Sequence, residues 1–301
     1  STTWAKDINK HGPYENLVSD GAGAFKHNGD WAAPYNDDAD NPYIQAFWKW
    51  WDNGLADSLD EIRITGGEPL MSGNTWKLFD WFEEQDTNMR FAINSNLIAK
   101  ESIIDKLIEK AQGIKKFHIY TSCEAVGDQA EYIRDRLDYD MWLNNVKRIL
   151  NETDAELHIM MTINSLCLFS ITEFLDQIYS LKGQDRKPTV SLNLLRFPSF
   201  QSPLALPVHL KDYCHNNLST WYEEVKHKEL WHEHEKASIE RLIDYLVTVD
   251  APHRRTSDPA KLWHDFKTFY AQYDLRRHRS LDVFPKILTD WVDSIDNLDK
   301  R

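Results

Sequence analysis

Cysteine is scarce in this 301-residue chain, and its three thiols, Cys123, Cys167 and Cys214, are too far apart for a Cys-x-x-Cys metal site. An odd, scattered set also excludes a disulfide framework. No apolar run approaches the length of a membrane span, and the opening Ser-Thr-Thr-Trp-Ala-Lys-Asp lacks the apolar core of a signal peptide. There is no internal repeat and no low-complexity segment. Basic charge is in deficit: 35 Lys and Arg against 48 Asp and Glu give a net charge of −13. Such a surface repels phosphate backbones, which argues against nucleic acid as a partner. The expectation is a soluble, cytoplasmic protein that engages neither membrane nor nucleic acid. Two local basic runs, 182–187 and 276–279, read as solvated loop and helix-end charge.

What is present is a hydrophobic fraction of 42%, with 12 Trp, 12 Tyr and 13 Phe, enough to bury a sizeable core. A short helix is expected near Thr2–Ile8, stopping before Gly12-Pro13. Residues 19–42 carry loop chemistry of unusual length. Asp37, Asp38 and Asp40 within them lack the glycine and terminal glutamate of a calcium loop and read as a solvated helix approach. A regular rhythm then begins. Helices are expected at 43–55, 73–85, 102–111, 131–150 and 172–181, and strands at 62–65, 91–96, 117–122, 157–164 and 189–195. Strands alternating with helices mean βαβ units and a parallel sheet. After Arg196 the pattern turns helical, with spans at 208–227, 231–249, 258–275 and 283–296. The division expected is 1–42 loop-rich, 43–196 β/α core and 197–301 helical.

The five strands share an apolar body and a polar C-terminal end. These ends are Gly66-Gly67-Glu68, Asn94-Ser95-Asn96, Thr121 to Glu124, Thr162 to Asn164, and Leu194-Leu195-Arg196. One such end is a turn signal; five on one rim suggest a binding site. Glu61-Ile-Arg-Ile-Thr-Gly-Gly-Glu-Pro69 is the most specific. Two glycines permit a sharp turn, and Pro69 biases Glu68 towards extended geometry. The period-2 rule sets Cys123 opposite Ser122, so a thiol facing the helices is expected if Ser122 faces a ligand. Trp231-His-Glu-His-Glu235 lacks the spacing of a His-Glu-x-x-His zinc site and reads as a polar helix start, with transition-metal binding as the alternative.

Gly-Gly-Glu-Pro at a strand end resembles the motif of radical S-adenosylmethionine enzymes. The resemblance implies a partial, open parallel β/α barrel with a helical C-terminal extension. It implies that Gly66, Gly67, Glu68 and Pro69 receive the cofactor's amino group. Asn94, Ser95 and Asn96 would supply polar contacts, and Ser122 and Glu124 would hold the ribose, although the usual Ser-x-Asp reads Ser-Cys-Glu here. Arg134 would meet the methionine carboxylate; its alternative is a helix-surface partner for Glu131 or Asp138. Asn164 matches the next strand end, and the backbone near Leu195 matches the adenine contact. Gln129-Ala-Glu-Tyr-Ile-Arg134, Phe266-x-x-Phe269-Tyr270 and Leu281-Asp-Val-Phe-Pro285 look like the twitch-domain-containing members, many of them from bacteria and phages.

One departure is plain. That family holds a 4Fe-4S cluster through Cys-x-x-x-Cys-x-x-Cys, and no such spacing occurs here. Ser1-Thr-Thr-Trp4 looks like the continuation of that loop. The expectation is therefore a fragment of a radical enzyme lacking its cluster loop and first strand, acting on a small-molecule or peptide substrate. A protein that has lost its cluster, and serves as a binding or interaction module, is the alternative.

Overall fold

The computed structural model describes residues 2–19, 25, 41–247 and 258–295, with backbone only for 2–5. Most of the 19–42 loop, including Asp37, Asp38 and Asp40, and the Ala251-Pro252 boundary lie outside them. The elements in chain order are α1 (Thr2–His11), α2 (Pro42–Trp50), β1 (Glu61–Ile64), α3 (Gly73–Glu84), β2 (Arg90–Asn94), α4 (Glu101–Ala111), β3 (Phe117–Ser122) and α5 (Gly127–Ile133). They continue with α6 (Tyr139–Glu152), β4 (Glu156–Ile163), α7 (Ile171–Leu181), β5 (Thr189–Leu194), α8 (Val208–Val225), α9 (Glu233–Val247), α10 (Pro259–Arg277) and α11 (Lys286–Ser294). The α/β reading and all five expected strands stand.

The strands form one parallel sheet in the order β1-β2-β3-β4-β5, with β1 and β5 at its edges. Register places Ile62 against Phe91 and Phe91 against Phe117. Along β3, Phe117, Ile119 and Thr121 are buried while His118, Tyr120 and Ser122 are half-buried. Along β4, Leu157, Ile159, Met161 and Ile163 are buried while Glu156, His158 and Met160 are half-buried. A sheet sealed on both faces would read as continuous apolar runs. This alternation gives one packed face and one polar face.

The chain divides into two compact units, both discontinuous: 30–122 with 140–159, and 1–29 with 123–139 and 160–301. In the first, α3 turns Phe79 and Phe82 onto Phe91 of β2, the Phe82 and Phe91 rings stacking at 4.6 Å. Each such buried side chain contributes about 1.5–3 kcal/mol. The single helix expected over 43–55 is interrupted: a wide turn spans Trp51–Leu55, and Gly54 takes φ +105°. Trp51 and Leu55 are buried beyond that break, whereas Ile44, Phe47 and Trp48 on α2 stay half-buried. The helix expected over 131–150 is also split. Tyr132, Leu137 and Trp142, all buried, recur every fifth residue, out of phase with a helical face. Arg136 adopts φ +67° in the break, and the Glu131 carboxylate accepts the Tyr139 N–H at 2.9 Å to start α6.

In the second unit Lys182, Arg276 and Arg277 of the basic runs are drawn out of solvent, contrary to expectation, while Gly183 to Asp185 and His278 stay exposed. Lys182 is fully buried; its Nζ donates to both Glu235 oxygens at 3.0 and 3.1 Å and to the Pro188 carbonyl at 2.6 Å. Glu235 also accepts the Val190 and His232 N–H groups at 2.7 and 2.8 Å. As the third residue of α9 reaching back to the residue before the helix, it is half of a capping box. That role makes the Trp231–Glu235 stretch a helix start, as the sequence suggested. Arg276 lies over the Tyr14 ring at 3.8 Å and donates to the Gly12 and Pro13 carbonyls; Arg277 pairs with Asp7 and Asp135. Asp265, wholly buried, accepts the Val18 and Ser19 N–H groups and the Ser19 hydroxyl. Length and charge made these side chains look like surface; the N-terminal segment and α9 supply the partners that bury them.

Lys182→Met should strand the Glu235 carboxylate in the interior and cost about 3–5 kcal/mol, the penalty for removing one partner of a buried pair. Equilibrium unfolding in urea should show a loss of stability of that size, read as a lower midpoint at an unchanged slope.

Candidate functional site

Gly66 and Gly67 follow β1 with φ +88° and +56°, conformations that a side chain would strain, and a Cβ at either would point into open space. They deliver Glu68 in extended geometry, φ −122° and ψ 107°, with Pro69 opening a short turn to Met71. The Glu68 carboxylate is already held. One oxygen accepts the Ser95 hydroxyl at 2.6 Å and the Leu70 N–H at 3.3 Å; the other accepts the Asn96 N–H at 2.9 Å. The Ser95 Oγ in turn accepts the Leu97 N–H at 3.0 Å, and the Leu97 carbonyl accepts from Asn145. A carboxylate has about four acceptor sites, so three donors fix its orientation and leave one. The sequence expected polar cofactor contacts from Ser95 and Asn96; the structure shows the Ser95 hydroxyl and the Asn96 N–H positioning Glu68. Asn94 accepts from Arg63 Nε at 2.8 Å.

A pocket of about 500 Å³ adjoins this loop. Thr65, Gly66, Gly67 and Glu68 form one wall, and Ile44, Phe47 and Trp48 of α2 form another. Met71, Asn74 and Leu78 complete it, with the Trp48 indole donating to Asn74 at 2.7 Å. The half-uncovered stripe of α2 is therefore a pocket lining, a role its helical periodicity alone did not distinguish from core packing.

The other expected residues sit in different surroundings. Ser122, half-buried, ends β3 on its polar face. Cys123, the next residue, is fully buried, as are Glu124 and Ala125 after it. Glu124 is buried, and one of its oxygens accepts both Arg134 Nε at 3.0 Å and Nη2 at 2.5 Å, as well as the Thr162 N–H at 3.4 Å. Arg134 leaves α5 in an extended conformation and pairs with Glu124, so the helix-surface pairing with Glu131 or Asp138 is not the one formed. Asn164 spends its oxygen on the Leu166 and Cys167 N–H groups and one amide hydrogen on the Thr162 carbonyl, closing its own turn. The Leu195 N–H donates to Ile163, leaving its carbonyl as the backbone group that could face a ligand.

Among the described residues no group of three Cys, His, Asp or Glu side chains is placed to hold a metal ion, and no helix is long and apolar enough to cross a membrane. All three cysteines are buried. Burial pushes the Cys123 and Cys214 thiols up to about 12 and Cys167 well above its ordinary value.

No protein-family model matches the chain, and no curated protein matches it. Among solved structures it is similar to a domain of pyruvate-formate lyase-activating enzyme from Bacteroides vulgatus, at 16% identity and a TM-score of 0.37, over 53% of this chain and 93% of that one. It is also similar to Streptococcus suis SuiB bound to S-adenosylmethionine, at 14% identity and a TM-score of 0.39, and to SuiB bound to the precursor peptide SuiA, at 14% and 0.38. In both cases the match covers 61% of this chain and 39% of SuiB. These are distant likenesses.

The thiols should be inert in the native protein. With a chromogenic aromatic disulfide at pH 8, no cysteine should react on the timescale of minutes, and all three should titrate once the chain is unfolded in guanidinium.

Proposed function

We propose that this chain binds S-adenosylmethionine through the Gly66-Gly67-Glu68 loop, as part of a radical enzyme of the type its motif resembles. The observation that carries the reading is the Glu68 carboxylate. It stands on a turn that only glycines form without strain, beside an open pocket, oriented by Ser95, Asn96 and Leu70 with one acceptor position left. A pre-oriented carboxylate suits an α-ammonium group, because its reorganisation cost is met before the ligand arrives. An ammonium donating to it forms a charge-assisted bond worth about 1.5–3 kcal/mol.

The other assignments follow the resemblance as proposals. Arg134, its guanidinium steadied by Glu124, suits a carboxylate; Ser122 and the second oxygen of Glu124 suit hydroxyls. Asn164 has one amide hydrogen left to offer, and Leu195 its carbonyl. S-adenosylmethionine supplies, when its sulfonium is reductively cleaved, an adenosyl radical able to abstract hydrogen from a substrate. A 4Fe-4S cluster would have to deliver the electron, and the residues described here do not fit one. Their thiols are buried and do not gather. That observation favours a second reading, in which these 301 residues bind the ligand and do no redox chemistry on it. The twitch-domain subgroup, a bacterial or phage source and a cytoplasmic location belong to the same proposal.

Calorimetry with S-adenosylhomocysteine separates the possibilities. Glu68→Gln should weaken binding by about 10- to 100-fold, matching the energy above, and Ser95→Ala should weaken it less by loosening the carboxylate. Unchanged affinity in Glu68→Gln removes the loop from the site. After reconstitution with iron and sulfide under strong reductant, the chain should release no 5′-deoxyadenosine; release of that nucleoside would overturn the account of the cysteines.

A further inference from the structure

The clamp on Glu68 has a support outside the pocket, and every residue of it lies within the unit formed by 30–122 and 140–159. Ser95 and Asn96, which supply two of the three donors to the carboxylate, sit in the turn that follows β2. That turn bends at Leu97, whose φ is +56°. Leucine rarely enters the left-handed region, because its Cβ then crowds the carbonyl oxygen. Three contacts keep it there. Its side chain is wholly buried, its N–H donates to Ser95 Oγ at 3.0 Å, and its carbonyl accepts from Asn145 Nδ2 at 2.8 Å. The peptide after Leu97 is held at both ends, since the Ile98 N–H donates to Asn96 Oδ1 at 2.8 Å. A glycine would take this φ without strain but would bring no buried side chain to pin the turn.

Asn145 differs from its neighbours on α6. It shares a helix face with Trp142, Val146 and Ile149, all fully buried, and is itself 5% exposed. The Trp142 indole fixes that face to β3 by donating to Thr121 Oγ1 at 3.0 Å. A buried amide costs stability unless it is bonded, and the Leu97 carbonyl is its acceptor. Asn145 itself stands outside the pocket wall.

We propose that Asn145 is a positioning residue for the ligand-binding carboxylate, which rests on the reading that Glu68 meets a ligand ammonium. Asn145 holds Leu97 in the left-handed conformation, and Leu97 holds the Ser95 hydroxyl. Ser95, with the Asn96 N–H, then aims Glu68. Strained residues persist where their surroundings over-determine them, and they gather at ligand sites. Without the Asn145 donor the Leu97 carbonyl loses its partner and the turn relaxes. Ser95 Oγ is then free to rotate, and the carboxylate is no longer oriented before the ligand arrives.

The test is a double-mutant cycle in the full chain, read by calorimetry with S-adenosylhomocysteine. Asn145→Leu keeps the shape of the side chain and removes the donor. It should weaken binding by about fivefold, less than Glu68→Gln, because it loosens the carboxylate without removing it. In a Glu68→Gln background the same substitution should have no further effect. A purely structural role would lower affinity by the same factor in both backgrounds. Equal factors, or unchanged affinity in Asn145→Leu where Glu68→Gln is weakened, would overturn the proposal and leave the role of Glu68 standing. Unchanged affinity in Glu68→Gln would sink the cofactor reading itself, and hydrogen exchange then decides the support of the carboxylate without ligand. The Asn96 and Leu97 amides should exchange about tenfold faster in Asn145→Leu, while those of β2 keep their rates. Unaltered exchange at both amides would overturn the proposal. Thermal midpoints identify a variant that fails to fold. Leu97→Gly, which releases the same turn without stranding a buried carbonyl, then enters the cycle with the same expectations.

Discussion

Two-residue alternation along the strands is the constraint from which the architecture follows. Every second side chain of β3 and β4 is buried, and the intervening ones, Met160 apart, are polar or carry a polar group: His118, Tyr120, Ser122, Glu156, His158 and Thr162. Sliding either strand by one residue would drive imidazoles and a carboxylate into a core of Phe, Ile, Leu and Met, at several kcal/mol for each unpaired polar group. Register is therefore tightly specified. With it come the positions of the strand ends and the turns that start from them. The same alternation leaves the polar face available, so the packing that stabilises the sheet also exposes its chemistry.

Much of this was legible in the residues. Gly66 and Gly67 announced a backbone that other residues avoid, and both adopt positive φ. Pro69 announced extended geometry at Glu68, which the backbone adopts. Local rules sufficed because each of these features is decided within a few residues of chain. Helix lengths were less legible: Gly54 and the five-residue spacing of Tyr132, Leu137 and Trp142 interrupt spans that composition alone would extend.

The partnerships were not legible at all. Nothing near Lys182 in sequence indicates that its ammonium will meet a glutamate 53 residues later, and nothing near Glu124 chooses Arg134 over a ligand. Nor does the motif show that the Ser95 hydroxyl and the Asn96 N–H hold Glu68. Long charged side chains carry an apolar stem and a polar head, so their burial is settled by tertiary partners that no local pattern encodes. The site thus has two layers. The residue offering itself to a ligand was visible, and the residues that aim it became visible only in three dimensions.

The Asp265 carboxylate ties Val18 and Ser19 to a helix 247 and 246 residues further along the chain. A ribosome releases the chain from its N-terminus, so α1 and the segment after it emerge long before their anchor exists. The unit formed by 30–122 and 140–159 has all its residues once position 159 has been made, whereas the other must await α10. Contacts of such sequence separation close slowly, because their loop entropy is lost before the contact repays it. Synthesis accordingly has a built-in order. The Gly-Gly-Glu loop can be formed and tied to Ser95 while the N-terminal segment still waits for the chain's far end.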